Sequence, residues 1–405
     1  MKAGWQRKQL GDLAELRGRI GWRGLTAKEY TDTGPLFLSV YSLNYGDYVD
    51  FRDAFHISEE RYVESPEIML QKNDVLICKD GAGIGKVGIV GTLPERATIN
   101  SSLLLIRSGT SIIPKFLYHC LTSPYFQKIV NSRLNGATTP HLYQRDITEF
   151  PIVLPPLPEQ QRIVGVLDEA FGGFATAKAN AEKNLQNARA LFESHLEAIF
   201  TQRSEAWIEQ RLDDLATFRN GINFTKSSRG EFVKIVGVKD FQNNYWAPLH
   251  NLETITTDGN LADLDMLKEN DLLFVRSNGN IELIGRCLLV GVVADKITHS
   301  GFTIRARLKG DKVIPKYLCH FLKSIKARRE MIDSGIGTNI KSLNQATLSA
   351  LVVPFPCKAA QTRIVDQIEA LNAETQRLES IYQRKLAVLD ELKKSLLQHA
   401  FSGQL

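Results

Sequence analysis

Residues 79–88 combine glycine and lysine in a way that could bind the phosphates of a nucleotide. A P-loop needs glycine five positions before its Gly-Lys pair and serine or threonine after it, but Asp80 and Val87 occupy those positions here. The Gly-x-Gly-x-x-Gly pattern of dinucleotide-binding folds also fails, because a β-type run and Pro94 follow where a helix is required. We therefore predict that this glycine-rich loop does not bind a nucleotide.

The other residue types that carry chemistry have no catalytic or metal-binding spacing. The five cysteines are an odd number without a Cys-x-x-Cys pair, and the eight histidines are scattered. The chain lacks the Asn-Pro-Pro-aromatic and Asp-Pro-Pro-aromatic sequences of adenine methyltransferases, and it lacks the Pro-Asp and Asp/Glu-x-Lys combination of a common nuclease type. We expect reduced, mostly buried thiols, no metal site and no catalytic centre.

Composition and charge distribution favour a polyanion as the partner. The formal net charge is +5, yet residues 159–200 contain six acidic and four basic side chains and residues 361–401 contain six of each, which leaves +7 for the remainder. The remainder is therefore the favoured surface for a polyanion. No apolar run approaches the length of a membrane span and the N-terminus has no signal-peptide core, so we expect a cytoplasmic protein without a membrane partner.

The chain repeats one plan twice. The repeated anchors, which lie about 200 residues apart, are Asn73-Asp74-Val75-Leu76 with Asn270-Asp271-Leu272-Leu273, Pro114-Lys115-Phe116-Leu117 with Pro315-Lys316-Tyr317-Leu318, and the segments that begin at Trp5 and Trp207. Between these anchors the copies differ almost everywhere. A duplication of this kind predicts that both copies adopt the same fold.

Each copy predicts a globular domain followed by a long helix. We place a first globular domain at 1–156, a first helix at 157–203, a second globular domain at 204–357 and a second helix at 358–405. Short β-rich runs between Gly, Asn and Asp predict strands at 75–78, 87–90, 102–106, 272–275, 287–290 and 302–305. Proline-led segments predict helices at 114–130 and 315–331. The expected class is α+β.

The two long segments are predicted to pair as an antiparallel coiled coil. Neither has a proline after Pro158, and apolar residues recur at intervals of three and four, with Leu389 and Leu392 on the expected seam. About 40 residues of helix span roughly 60 Å, which would separate the globular domains. Chain connectivity requires the second helix to return, so an internal pseudo-twofold axis is expected. Gly172-Gly173 could bend the first helix.

The boundaries of these helices resemble those of a known family. Pro155-Pro156-Leu157-Pro158-Glu159-Gln160-Gln161-Arg162-Ile163 and the closing residues 395–405 resemble the two helix-boundary signatures of Type I restriction-modification specificity subunits. The resemblance covers the whole chain and includes the half-chain repeat. The second copy departs from it, because Cys357-Lys358-Ala359-Ala360 replaces Pro-Leu-Pro-Glu and marks the helix start less sharply.

The resemblance implies a non-catalytic protein that acts on double-stranded DNA. Each globular domain would be a target recognition domain that reads one half of an asymmetric bipartite site. The helices would space the domains and dock two methyltransferase (M) subunits, and restriction (R) subunits would complete the complex. The partner subunits, rather than this chain, would use S-adenosylmethionine, ATP and Mg²⁺. The alternatives are a scaffold whose two domains bind proteins and, less favoured for want of catalytic motifs, a fused single-chain restriction enzyme.

Three loops in each copy are candidates for DNA contact. In the second copy, Arg276, Asn278 and Asn280 could read base edges, because arginine pairs with guanine and asparagine with adenine; Arg286 follows the same loop. A solvated hairpin tip is the alternative. The glycine-rich loop of the first copy could approach the backbone closely, with Lys79 and Lys86 on phosphate.

The other two loops precede and follow these segments. The early loop supplies Arg17, Arg19 and Arg23 around a tryptophan in the first copy and Asn220, Asn223 and Lys226 in the second. A core tryptophan with surface arginines is its alternative interpretation. The late loop supplies Thr138 and Thr139 in the first copy and Thr338, Asn339 and Lys341 in the second, which could contact phosphate or simply form turns.

Overall fold

The computed structural model describes residues 4–19, 25–134, 141–201, 206–225, 227–242, 244–333 and 342–405. Its internal contacts divide the chain into two units. Unit 1 comprises Met1–Glu182 with Arg384–Leu405, and unit 2 comprises Lys183–Gln383. The division falls inside each long helix, so each unit contains a globular part together with segments of both helices.

Unit 1 contains strands and helices that alternate irregularly along the chain. They are β1 (Gln6–Gln9), β2 (Ala14–Gly18), β3 (Tyr30–Leu38), β4 (Phe55–Ile57), α1 (Glu59–Val63), β5 (Val75–Cys78), β6 (Val87–Ile89), β7 (Ala97–Ile99), β8 (Leu103–Ser108), α2 (Pro114–Thr122), α3 (Pro124–Leu134), α4 (Gln144–Thr148), β9 (Pro151–Leu154) and the start of α5 (Leu157–Thr201). The strands pair in the orders β1-β9, β2-β8-β5-β6 and β4-β3-β7.

Within the described residues, unit 2 repeats this order of strands, and its α-helices differ from those of unit 1 only in that α1 has no counterpart and α6 is added. Its elements are β10 (Ile208–Arg211), α6 (Leu212–Leu215), β11 (Ala216–Asn220), β12 (Phe232–Val236), β13 (Glu253–Thr256), β14 (Leu272–Val275), β15 (Cys287–Leu289), β16 (Ile297–His299), β17 (Thr303–Leu308), α7 (Pro315–Lys323), α8 (Ile325–Asp333), α9 (Gln345–Ala350), β18 (Val352–Phe355) and the start of α10 (Lys358–Ser402). The strand orders β10-β18, β11-β17-β14-β15 and β13-β12-β16 match those of unit 1. The α+β class and the internal repeat are confirmed.

The proline-led helices are shorter than the sequence predicts. Each predicted helix is two helices, which meet at Ser123 in unit 1 and at Ser324 in unit 2. Both serines have extended backbone angles, and the hydroxyl of Ser324 accepts a hydrogen bond from the N–H of Ala327 at 3.3 Å. Each serine therefore ends one helix and caps the start of the next.

The repeated Asn-Asp anchor places a buried carboxylate directly before β5 in unit 1 and before β14 in unit 2. Asp74 accepts hydrogen bonds from Nε and Nη2 of Arg107 at 2.8 Å and from the N–H of Gln71 at 2.7 Å. Asp271 makes the same contacts with Arg307 and the N–H of Lys268. The asparagine before each aspartate has positive φ, 74° at Asn73 and 71° at Asn270, which asparagine tolerates better than most residues. These ion pairs join the turn before β5 or β14 to the neighbouring strand.

A buried glutamine ties the start of each long helix to its globular part. In unit 1, Oε1 of Gln160 accepts from the N–H of Ile113 at 2.9 Å, while Nε2 donates to the carbonyls of Ser111 at 3.0 Å and Pro155 at 2.9 Å. In unit 2 the amide of Gln361 makes the corresponding bonds with Ile314, Lys312 and Pro356. Because both amides are fully buried, they satisfy backbone groups that water cannot reach.

The long helices contact each other within each unit in antiparallel fashion. In unit 1, Leu397 and Ala400 near the end of α10 share a core with Ile163 and Leu167 near the start of α5. In unit 2 the end of α5 shares a core with the start of α10 in the same way. The antiparallel pairing is confirmed.

The helix α5 is continuous through Gly172 and Gly173, where the sequence allows a bend. One seam residue differs from the sequence expectation. The expected seam residue Leu392 is 47% exposed, and the neighbouring Lys393 lies with Nζ 4.7 Å from the ring centroid of Phe171. A lysine stem can cover apolar surface while its ammonium stays in water, so it packs here in place of the leucine. Along the described ranges, no helix has the length and apolar character needed to cross a lipid bilayer.

Candidate nucleic-acid interface

Backbone contacts bring the candidate loops of unit 1 to one end of the β2-β8-β5-β6 sheet. The N–H of Lys79, just after β5, donates to Ser102 O at 2.9 Å, and its carbonyl accepts from the N–H of Leu142 at 2.9 Å. Nε2 of Gln144 donates to Leu16 O in β2 at 3.1 Å. The glycine-rich loop, the end of β2 and the segment before α4 are therefore neighbours.

Unit 2 brings its loops together through the same two backbone contacts and a different side-chain contact. The N–H of Arg276 donates to Phe302 O at 2.8 Å, and its carbonyl accepts from the N–H of Leu343 at 2.9 Å. Nε2 of Gln345 donates to Oδ1 of Asn220 at 3.0 Å. Loops that lie up to 128 positions apart in sequence thus form one surface in each unit.

A further loop joins this surface in both units, and sequence reasoning missed it. Nζ of Lys86 donates to Oδ1 of Asn44 at 2.6 Å, and the guanidinium of Arg286 donates to the carbonyl of Gln242. Lys86 and Arg286 occupy equivalent positions, so both predicted DNA contacts also hold a neighbouring loop. The sequence signal for this loop in unit 1 was the polar and aromatic composition of residues 41–48.

The three predicted base readers of unit 2 lie together, but two of them already use an acceptor locally. Oδ1 of Asn278 accepts from the N–H of Asn280 at 2.8 Å, and Oδ1 of Asn280 accepts from the N–H of Glu282 at 2.9 Å. A bidentate pair with adenine needs both the oxygen and the nitrogen of an amide. Because an amide oxygen has two lone pairs, each asparagine can still offer both atoms to a base, but its local hydrogen bond sets the orientation of the amide. Nη1 of Arg276 lies 3.4 Å from Gly301 O and is half-buried.

A neutral histidine supports the turn beside Arg276. Nδ1 of His299 lies 2.9 Å from Oγ1 of Thr303, and the two residues flank the turn that carries Phe302. Burial and, to a lesser extent, the positive charge of Arg305 together lower the pKa of His299 to about 3. The imidazole is therefore uncharged at neutral pH and can hold the turn without adding charge to the core.

Asn220 and Asn223 lie at the exposed end of β11. The carbonyl of Ile222, between them, accepts from the N–H of Gly301 at 2.7 Å. A Cβ on Gly301 would lie 2.1 Å from Oδ1 of Asn223, so a larger residue there would displace the Asn223 side chain. The early loop and the turn at residues 300–302 are thus in direct contact.

The early loop of unit 1 divides its arginines between surface and core. Arg17 is exposed and lies 3.8 Å from Glu15. Arg19 is 3% exposed; its Nε donates to Ile99 O at 3.1 Å, and its guanidinium carbon lies 5.4 Å from the ring centroid of Phe37. Arg19 was expected to face DNA, but it lies in the core. Its charge can be buried there because the carbonyl of Ile99 and nearby hydroxyl groups accept its hydrogen bonds. The remaining first-copy candidates, Lys79 and Lys86, are half-buried and exposed respectively.

Several predicted contacts lie outside the described residues. They are Arg23, Thr138, Thr139, Lys226, Thr338, Asn339 and Lys341. Within the ranges that the structure does describe, no group of histidine, cysteine and carboxylate side chains is arranged to hold a metal ion.

The duplicated fold, with one cluster of converging polar and basic loops per unit, defines a class of protein with two separate recognition surfaces. Comparison with known proteins identifies the family. The Type I restriction modification DNA specificity domain matches residues 2–184 and again residues 204–385. Because these two matches cover most of the chain, it belongs to this family.

Individual relatives agree with this assignment. The specificity subunit of the Type I restriction enzyme EcoKI from Escherichia coli K12 is 24% identical over 404 residues, which cover 92% of this chain and 86% of the relative. The specificity subunit of the Type I restriction enzyme MjaVIII from Methanocaldococcus jannaschii is 20% identical, with 85% and 81% covered.

Solved structures share the fold. A chain from a structural study of complex assembly and conformational transition of the type I R-M system has a TM-score of 0.80 and 16% identity, and the match covers 100% of this chain and 99% of that one. The HsdS subunit from Thermoanaerobacter tengcongensis has a TM-score of 0.61 and 16% identity, with 100% and 98% covered.

Proposed function

We propose that this chain is the DNA specificity subunit of a Type I restriction-modification complex. Each unit reads one half of an asymmetric bipartite site in double-stranded DNA through its loop cluster. The observation that carries this proposal is the recurrence of one loop arrangement in both units with different side chains. Arg276 follows the central strand in unit 2 where Lys79 follows it in unit 1. The same scaffold with different readers suits two different half-sites.

The chemistry of the loops supports a division of work. Exposed cations such as Arg17 and Lys86 suit phosphate, whereas Arg276 and the amide nitrogens of Asn278 and Asn280 suit base edges. Lys79, Asn220, Asn223 and Arg286 complete the described part of this proposed interface. We leave Arg19 out because it is buried.

The chain itself performs no catalysis in this proposal. Two M subunits bind to it and supply methylation with S-adenosylmethionine, and R subunits supply ATP- and Mg²⁺-dependent cleavage. The complex works in the cytoplasm. Support comes from the family of the chain and from its lack of recognisable catalytic motifs.

Footprinting of the assembled complex on a library of duplexes tests the proposal. We expect two protected parts of unequal sequence, about one helical turn or roughly 34 Å apart on one face of the DNA. A single continuous palindromic footprint would contradict the two-reader arrangement. Affinity should also fall steeply with salt, since phosphate contacts release counterions, whereas a protein-binding scaffold would show no salt-dependent binding to duplex DNA.

A further inference from the structure

Each unit carries an exposed aromatic side chain at the same place in its fold. Tyr48 forms an isolated parallel bridge with Ile89, and Trp246 forms the same bridge with Leu289, so the two residues are equivalent. Their exposed fractions are 54% and 43%. Tyrosine and tryptophan are the residue types most enriched at the energetic centres of protein interfaces.

In unit 1 the exposed ring lies over a lysine that reaches the long helix. Nζ of Lys115 is 4.7 Å from the ring centroid of Tyr48 and 3.1 Å from its hydroxyl. The same ammonium lies 3.4 Å from Oδ1 of Asp168 on α5. Tyr48 is thus held at the junction between the globular part and the helix.

Unit 2 repeats this arrangement with conservative changes. Nζ of Lys316 is 5.8 Å from the ring centroid of Trp246 and 2.8 Å from Oε1 of Glu369 on α10. The two lysines belong to the repeated Pro-Lys anchor, and Asp168 and Glu369 are separated by the same 201 positions as the long helices. Ring, cation and carboxylate therefore recur as a set.

An exposed leucine on the long helix recurs as well. Leu392 precedes Lys393, whose Nζ lies 4.0 Å from Oδ1 of Asp47, the neighbour of Tyr48. The counterpart of Leu392 in the other unit is Leu191, which is 64% exposed. Leu191 precedes Phe192, which packs against the core of unit 2. We define junction patch 1 as Tyr48, Lys115, Asp168 and Leu392, and junction patch 2 as Trp246, Lys316, Glu369 and Leu191.

Recurrence separates the junction patches from other exposed apolar residues. Among the described residues, Tyr48 with Trp246 and Leu392 with Leu191 are the large exposed apolar pairs found at equivalent positions. Tyr125, by contrast, is 54% exposed, but the residue at the equivalent position of the other copy is a lysine, Lys326. The proposed DNA-facing loops differ between the copies, whereas the junction patches are alike in both.

We propose that each junction patch binds one copy of the same partner, the M subunit of the complex, and this proposal rests on the function proposed above. Equivalent surfaces in the two units suit two copies of one protein. The partner should offer an apolar recess for the ring and the leucine, with polar groups around its rim.

The position of the patch also suits a catalytic partner. Tyr48 follows the loop that contains Asn44, which accepts the hydrogen bond from Lys86 at the proposed DNA interface. A partner seated on Tyr48 therefore contacts both the long helix and the base of the reading loops. It would be held beside the half-site that the same unit reads.

Native mass spectrometry and titration of the full chain with its M subunits test the proposal. Tyr48→Ala and Trp246→Ala should each weaken binding at one of two sites about ten-fold or more, and the double variant should weaken both. Tyr125→Ala is a control of the same residue type and exposed fraction as Tyr48, and Phe232→Ala is an exposed aromatic control in unit 2. Both controls should bind two M subunits as the wild type does.

Two further measurements keep the outcomes distinct. Leu392→Ser and Leu191→Ser test the same patches from the helix side, so they decide the case if an aromatic variant fails to fold. Unchanged affinity for both M subunits in all folded patch variants would overturn the inference. If the wild-type complex still reads a bipartite site in that experiment, only the junction patches are wrong; if the wild type binds no M subunit or no specific DNA, the proposed function fails first.

Discussion

The buried amide of Gln160 should contribute measurably to the stability of unit 1, and Gln160→Met is the sharpest test. Methionine has similar length and volume but neither donates nor accepts strongly. It therefore removes three hydrogen bonds, to Ile113, Ser111 and Pro155, while it keeps most of the packing.

The magnitude follows from what is left unpaired. A typical hydrogen bond contributes about 1 kcal/mol net, and a buried group that loses its partner costs about 1–3 kcal/mol. With one N–H and two carbonyls affected, we expect the free energy of unfolding to fall by about 3 kcal/mol. Gln161→Met is the matched control, because Gln161 is the adjacent residue of the same motif and is exposed. Its effect should stay within about 0.5 kcal/mol.

Urea unfolding followed by circular dichroism measures this difference. Because the chain has two units, the analysis should allow two transitions rather than assume one. Gln160→Met should shift the transition of unit 1, and Gln361→Met should shift the transition of unit 2 by a similar amount. Equal midpoints for the Gln160 and Gln161 variants would refute the idea that the amide anchors the helix start.

Three further predictions concern reading, the buried ion pairs and acidity. Arg276→Ala should cost about 1–3 kcal/mol of DNA-binding free energy and relax base preference in one half-site only, with M-subunit assembly intact. A selection on randomised duplexes measures this preference. An equal loss of affinity for every duplex would mean that Arg276 contacts phosphate. Arg307→Met should lower the free energy of unfolding of unit 2 by about 3 kcal/mol because it leaves the carboxylate of Asp271 buried without its cation. Urea unfolding measures this loss, with Arg17→Met as a control. Equal stability of the two variants would contradict a stabilising role for the Arg307–Asp271 ion pair. Burial lowers the pKa of His299 to about 3 and that of His320 to about 4, from an ordinary value of 6.5; unfolded imidazoles therefore bind protons at higher pH than folded ones, so unit 2 should lose stability as the pH falls from about 6.5 toward 4. Urea midpoints at pH 7 and pH 5.5 check the last prediction, and a midpoint that does not fall would contradict it.

The local signals in the chain were sufficient for the elements and for the repeat. Proline at the first turn marked the start of α2 and α7, and short apolar runs marked β5 and β14. These signals act over a few residues, so they are readable without knowledge of neighbours. The break at Ser324 was missed because serine and Ile325 are both compatible with a continuing helix, whereas Pro124 gave at least a local signal in the first copy.

The placement of charged and polar side chains was less readable. Arg19 beside a tryptophan has the composition of a surface loop, yet Ile99, distant by 80 positions, supplies the carbonyl that allows its burial. Leu392 follows the apolar period of α10, but its exposure depends on what packs there, and Lys393 packs instead. Neither partner could be identified from the sequence around these residues.

Repetition, proline positions and apolar spacing therefore predicted the duplicated α+β architecture, because such patterns specify backbone conformation locally. Chain connectivity then predicted that the two long helices are antiparallel. Which loops share a surface was decided by the tertiary structure alone. Lys86 meets Asn44 and Arg286 meets Gln242 across more than 40 residues of chain, through contacts that exist only once the sheets have formed. The same folding step uses Oδ1 of Asn278 for its own loop, so the hydrogen-bonding groups left for DNA depend on the folded conformation as well as on residue type.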